Sequence, residues 1–412
     1  MNKFNPHLAK VRGMVSYGLG PVLGLISGPI LARALGPTGR GQFASVMEPL
    51  TLAAAIASFG IPSAITYFIS QGHNPKHVLK IGFLIGIIPT LFICALMWVY
   101  SGPVSASQNL PRGFVAGAWT FVLISVVIQL RRAFWQGSAG WLVLDTERGI
   151  YSVLRFIAVV VAALLGAHSA TIFVLVQLAM ILVGGVILWL PWKRDTHHIP
   201  QKVPQRSFLR YSTLAAVGTI AMVANNRLDQ VLMPAQTSSA QMGFYAVAVT
   251  IAEIPLVFAT LASRDTLQMS GAGKSIKQIL RHNAIYIVGA LVSSVCLGFG
   301  ASWYLPLFFG TEFNPAITAI HLLSIGTGLT TVAVVAISFI AGKGAPTFSS
   351  LVPVSGLFVT LVAFQIYWTK VDATVASWIS LAAQGSAAIV GLILTWVVLR
   401  KRQPLDASTN SH

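Results

Sequence analysis

About twelve runs of roughly twenty apolar residues follow one another along the chain, at 14–34, 43–70, 79–100, 114–137, 150–167, 171–192, 211–233, 243–262, 284–305, 316–340, 347–369 and 374–398. A helix of about 20 residues crosses the roughly 30 Å of hydrocarbon in a bilayer, where each backbone amide must find its partner within the segment. A closed β-barrel, the other architecture that can span, needs segments of alternating apolar and polar residues, and that alternation is missing. The pattern predicts an all-α polytopic membrane protein. Composition agrees: 55% of the 412 residues are hydrophobic and 9% are charged, against about 25% charged in soluble domains.

The net charge of +17 would suggest nucleic acid if it were spread evenly, and it is not. With the amino terminus inside and the spans alternating, the inner segments collect Lys3, Lys10, Arg12, Lys76, Lys80, Arg131, Arg132, Arg148, Arg155, Lys274, Lys277 and Arg400, among others. The outer segments hold Arg33, Arg40, Arg112 and Lys370. This is the positive-inside bias. It predicts both termini in the cytoplasm, a place in the cell inner membrane, and no nucleic-acid partner. Cys94 and Cys296 fall inside apolar runs and form no disulfide framework. The first run is too long for a signal-peptide core, so no cleaved leader is expected.

The longest strongly polar stretch between runs, Lys193–Arg206, separates six spans from six. Six is even, so both halves enter the bilayer in the same direction, the arithmetic of a parallel repeat. The expected organisation is an N-terminal six-helix lobe (1–195), a cytoplasmic linker (196–207), a C-terminal six-helix lobe (208–402) and a disordered tail (403–412). The second run opens GQFASVMEP (Gly41–Pro49) and the eighth GFYAVAVTIAEIP (Gly243–Pro255). Both have a glycine, an aromatic two positions on, an alanine next, and a glutamate closely followed by proline.

Charged residues inside a span are costly, about 2.5 to 3.5 kcal/mol each at mid-bilayer on insertion scales, so their positions nominate the site. The seventh run ends in ANNRLDQVL (Ala224–Leu232). Arg227 and Asp229 lie two apart, about 200° around a helix, and cannot pair with each other; Asn226 and Gln230, four apart, share a face. Arg227, Asn226 and Gln230 are candidates for binding substrate; for Arg227 the alternatives are a structural salt bridge or snorkelling to headgroups. Glu253, near mid-depth with Pro255 behind it, and Glu48, flanked by Pro49, could couple transport to H⁺ or Na⁺, as could Asp229. A helix-terminal carboxylate satisfied by backbone donors is equally open for Glu253 and the favoured reading for Glu48, and a structural salt bridge is the alternative for Asp229. Arg33 could face a cavity mouth or anchor its helix. The first span carries Gly18, Gly20, Pro21, Gly24, Gly28 and Pro29 and is expected to kink. GAGKS (Gly271–Ser275) lacks the first glycine of a phosphate loop, His73 and His77 are separated by Asn74-Pro75, and His197 and His198 lie in the linker. No metal, no cofactor and no enzymatic activity are expected; an H⁺ or Na⁺ gradient is the candidate driving force.

Four stretches, LARALGPTGRGQFA (Leu31–Ala44), SFGIPSAITYFIS (Ser58–Ser70), NNRLDQVLMPAQTSSAQMGFYAVAVTIAEIP (Asn225–Pro255) and LFFGTEFNPAITAIHLL (Leu307–Leu323), resemble the bacterial polysaccharide and O-antigen flippases of the multidrug/oligosaccharidyl-lipid/polysaccharide exporter superfamily. The resemblance implies two pseudo-symmetric six-helix lobes in a V around a central cavity. It also implies a substrate, a lipid-linked oligosaccharide whose pyrophosphate is held by cavity cations while its polyprenyl tail stays among the membrane lipids. Arg227 would then line the cavity, Arg33 its mouth, and Asp229 and Glu253 would couple the ion. Other polysaccharide assembly proteins are candidate partners. The chain is two helices short of the lipid II flippases and has no acidic residue in its first span, unlike many multidrug exporters of the superfamily. The alternative functions are H⁺- or Na⁺-coupled export of small organic molecules, an integral membrane glycan polymerase or glycosyltransferase, and a non-transporting scaffold.

Overall fold

The computed structural model describes residues 6–191 and 203–400. The tail at 403–412 and the expected linker up to residue 202, with His197 and His198, lie outside the described residues. Among the described residues there are helices and turns and no strand.

All twelve apolar runs fall on helices. The first run and the opening of the second form one element, α1 (Pro6–Ala57), whose backbone leaves helical geometry at Gly36, with φ 62 and ψ 180. That conformation is open essentially to glycine alone, and Pro37 follows it. Pro21 and Pro29 of the first span sit in helical backbone. The second run continues through a turn at Ser58–Gly60 into α2 (Ile61–Ser70). Next come α3 (Pro75–Gln108), α4 (Arg112–Trp119), α5 (Phe121–Gly137), α6 (Trp141–Leu164) and α7 (Ala170–Ile187). The later runs give α8 (Gln205–Leu232), α9 (Ser239–Ala252), α10 (Leu256–Gly271), the short α11 (Ile276–His282), α12 (Ala284–Phe308), α13 (Ile317–Gly342), α14 (Pro346–Ile366) and α15 (Ala373–Arg400).

Nine of the described helical segments are long and apolar enough to cross a membrane, and the pair α9 and α10, bent by 47°, makes ten. The remaining two runs escape for physical reasons. The second is interrupted at Ser58–Gly60, and α6 carries Asp145, Glu147, Arg148 and Arg155.

Contacts divide the chain into two units: residues up to Val223 with Thr237–Gly243, and Ala224–Gln236 with the residues from Phe244 on. The division runs at Val223, later than the linker expected at 196–207. In the first unit α1 packs along α6, α2 along α5, and α6 along α7. In the second, α13 touches α10, α12, α14 and α15. Polar side chains satisfy one another across helices, as an apolar medium requires: the Trp119 indole donates to the Val46 carbonyl (2.9 Å), and Asn283 donates to Ala262 O (3.2 Å) and Thr266 Oγ1 (2.9 Å).

Gly41 and Gly243, which open the two related stretches, both lie in the first unit and face each other. A methyl group on Gly41 would strike the Ser239 carbonyl oxygen, and one on Gly243 the Pro37 carbonyl. Beside them Gln108, fully buried, donates to the Thr237 carbonyl (2.9 Å), while its own carbonyl accepts from Gln42 Nε2 (2.9 Å) and Ser239 Oγ (3.2 Å).

Candidate functional site

The strongest concentration of ionisable groups inside the second unit is built where two helices stop. Helix α8 ends at Leu232 in a 3-10 turn, Met233–Ala235, that contains Pro234. Helix α9 ends at Ala252 because Pro255, three residues on, has no N–H to continue the ladder. The Ala252 carbonyl at this break accepts from the Thr327 hydroxyl of α13 (2.7 Å). Glu253 is the first residue of the break, and discontinuous membrane helices are a recurring way of presenting polar groups at depth.

Arg227 on α8 and Glu253 meet there. Arg227 Nη2 lies 3.1 Å from Glu253 Oε2, and the two side chains are 30% and 33% exposed. Of the readings open for Arg227, an ion pair between chain segments is what the geometry contains, and its partial exposure leaves the pair within reach of a ligand. Asp229 is buried and turned to another partner: the Tyr245 hydroxyl of α9 donates to Asp229 Oδ2, and the Gln230 backbone N–H donates to Oδ1 (2.8 Å). Arg227 and Asp229 thus serve different partners, as their spacing requires. Ser380 of α15 accepts from Gln384 Nε2 (3.2 Å).

Of the pair expected to share a face, Gln230 is buried while Asn226 is exposed, so α9 and its neighbours cover only one end of that face. Neighbouring Asn225 was not singled out in the sequence; its carboxamide oxygen lies so close to Gly356 of α14 that a methyl group there would overlap it. Among the buried polar atoms of this unit that have no hydrogen-bond partner among the described residues are Asn225 Oδ1, Gln230 Nε2 and Gln384 Oε1. Such atoms are rare in native interiors and call for water or a ligand.

The first unit holds a second set of charges. Glu48 is half-buried in α1, and buried Arg40 lies in the field of its carboxylate and of the Arg155 guanidinium. Arg33 is exposed, one turn before the Gly36 break. Arg148 and Arg155, taken from the sequence as inner-segment charges, both lie within α6. The same helix carries two compensated carboxylates. Asp145 accepts from Arg12 Nε (2.9 Å) and Ser16 Oγ (3.1 Å), and fully buried Glu147 is bound by Arg132 through Nη2 (2.6 Å) and Nε (3.2 Å). Their spacing could have exposed them: Asp145, Arg148 and Arg155 stand three and seven apart, on one face of a helix. Among the described residues no His, Cys, Asp and Glu side chains gather in a way that could hold a metal ion. His73 packs against the Phe68 ring (5.7 Å).

Residues 13–267, well over half of the chain, match the polysaccharide biosynthesis protein family. The chain belongs to that family. The matched stretch includes Glu48, Arg227, Asp229 and Glu253. Among solved structures, this family member is similar to a multidrug resistance MATE family transporter of the MOP superfamily in an inward-facing conformation (TM-score 0.72, 16% identity, covering 96% of this chain and 99% of that one). It is also similar to the lipid II flippase MurJ in an inward closed conformation (TM-score 0.69, 14% identity, 95% and 87% covered). A MOP superfamily transporter from Pyrococcus furiosus matches as well (TM-score 0.55, 15% identity, 97% of each chain). No curated protein is matched by the sequence. The fold is that of the MOP superfamily, whose members have about twelve helices. This polysaccharide biosynthesis protein is a multi-pass membrane protein that shares its fold with the MATE transporter and the lipid II flippase.

Proposed function

We propose that the protein flips a lipid-linked oligosaccharide, a polyprenyl-pyrophosphate-linked repeat unit, from the cytoplasmic to the outer leaflet of the inner membrane. It does so by exposing the Arg227 site alternately to the two sides. The observation that carries this reading is the partly exposed ion pair of Arg227 with Glu253, placed at a broken helix among buried polar atoms that lack partners. A pyrophosphate cannot enter hydrocarbon without counter-charge, and a guanidinium, with five N–H donors that suit phosphate oxygens, supplies it. Glu253 compensates the charge of that guanidinium when no substrate is bound. Protonation of Glu253 would cancel the competing charge and free Arg227 for the pyrophosphate, so substrate affinity at this site is linked to proton uptake. Asp229, held by Tyr245, sets the geometry of the helix end and is a second group through which an ion can act. Glu48 and Arg33 are assigned the corresponding coupling and entry roles in the first unit.

The two carboxylates in the cluster also favour a second reading, H⁺- or Na⁺-coupled export of small organic cations. One assay separates the two. The purified protein is reconstituted in proteoliposomes with a fluorescent lipid-linked oligosaccharide, and translocation is followed for the wild type and Arg227→Ala. Loss of translocation in the variant supports flipping. Failure of the wild type to move the glycolipid, with uptake of organic cations against a pH gradient, establishes the second reading instead.

A further inference from the structure

On α3, Lys76, Lys80 and Leu84 repeat at four-residue intervals, and Ile87, Ile88 and Leu91 continue the same face. The four apolar residues of this stripe are each half or more exposed, and the two lysines at its head are exposed as well. Across from the lysines, Arg131 of α5 completes a groove of about 500 Å³ walled by Phe83 and Phe134, within the size range of small-molecule sites. Arg131 is held in place there. Its Nε donates to the Leu188 carbonyl (3.1 Å), and its guanidinium lies over the rings of Phe134 (4.7 Å), Trp189 (4.6 Å) and Trp135 (5.6 Å). At 1.5 Å per residue, Leu91 lies about 16 Å along the axis from Lys80. Three cations therefore head an apolar track that faces the lipid.

We propose that this groove is a binding site for an anionic glycerophospholipid of the bulk membrane, its phosphate between Lys76, Lys80 and Arg131 and an acyl chain along Leu84, Ile88 and Leu91. Charge selects the headgroup: no carboxylate among the described residues forms an ion pair with Lys76 or Lys80, and basic pockets between membrane helices recognise anionic headgroups. The stripe selects a lipid over a soluble phosphate, which would leave the track unused. The site shares no residue with the Arg227 and Glu253 pair, and the proposal stands whatever the protein transports.

The test is native mass spectrometry of the full chain in detergent, titrated with phosphatidylglycerol, phosphatidylcholine, polyprenyl pyrophosphate or inorganic phosphate. Each cation near an anionic headgroup contributes about a fivefold preference. Lys76→Gln with Lys80→Gln is therefore expected to weaken phosphatidylglycerol retention about thirtyfold, with Lys76→Arg and Lys80→Arg restoring it. A Lys274→Gln, Lys277→Gln variant, which loses two equally exposed charges elsewhere, is expected to bind as the wild type does. Equal retention of phosphatidylcholine, equal protection by inorganic phosphate, tighter binding of polyprenyl pyrophosphate at these lysines, or an equal loss in the Lys274, Lys277 control would each overturn the proposal.

Discussion

Separating Arg227 from Glu253 distinguishes a transport site from a structural clasp. Two unit charges about 4 Å apart interact by about 4 kcal/mol at an effective dielectric near 20. With roughly a third of each side chain open, the net value lies between that of exposed pairs, under about 1 kcal/mol, and the 3 to 5 kcal/mol lost on breaking a buried pair. A figure of about 2 kcal/mol follows. Glu253→Gln removes the competitor and leaves Arg227 charged, because a guanidinium does not deprotonate in proteins. Affinity for a pyrophosphate lipid at neutral pH should then rise up to about thirtyfold, on the conversion of 1.4 kcal/mol per decade. Arg227→Ala removes the charge-assisted hydrogen bonds, each about 1.5 to 3 kcal/mol, and affinity should fall about 10- to 150-fold. Arg227→Lys should fall between, having lost the planar fork. Binding titrations, paired with proteoliposome translocation, supply both readouts. If Arg227→Ala transports at the wild-type rate with normal expression, the guanidinium has no part in the mechanism. If Glu253→Gln binds the pyrophosphate lipid no more tightly than the wild type does, the carboxylate does not compete for Arg227.

Three further perturbations probe the surroundings. Tyr245→Phe takes the side-chain donor from buried Asp229 and should cost about 1 to 3 kcal/mol, seen as a lower unfolding temperature in detergent with expression retained. Arg132→Ala leaves fully buried Glu147 without its two-pronged partner and should destabilise by about 3 to 5 kcal/mol. Arg132→Lys should recover only part of that, and full recovery would show that charge alone matters there. Gly41→Ala drives a methyl group into the Ser239 carbonyl. It should cost about 1 to 3 kcal/mol as overpacking, whereas Gly113→Ala, with open space around it, should be nearly silent in the same melt.

The spans were legible because the constraint behind them is severe: a backbone in hydrocarbon has few ways to satisfy its amides, and twelve apolar runs became helices. The interruptions were half legible. Pro255 sits at the α9–α10 break, inside a run read from the sequence as one span, and the non-helical backbone of α1 falls at Gly36, in a conformation essentially open to glycine alone. α6 begins at Trp141, ahead of the apolar run at 150–167, because polar Asp145, Glu147 and Arg148 lower the hydropathy of a stretch that is nonetheless helical. Arg227 was conspicuous by its cost, yet its partner was not, because periodicity relates residues within one helix and Glu253 lies 26 positions away. The repeat clarifies what a sequence can and cannot carry here. Each related stretch has a glutamate followed closely by proline, and each glutamate has an arginine acting on it, but the cation arrives differently. Arg40 precedes Glu48 by eight residues in the same element, while Arg227 reaches Glu253 from α8. A carboxylate taken out of water costs several kcal/mol until a cation compensates it, and any guanidinium within reach meets that requirement. The acidic position recurs with the local motif, whereas the compensating arginine is fixed only by tertiary packing.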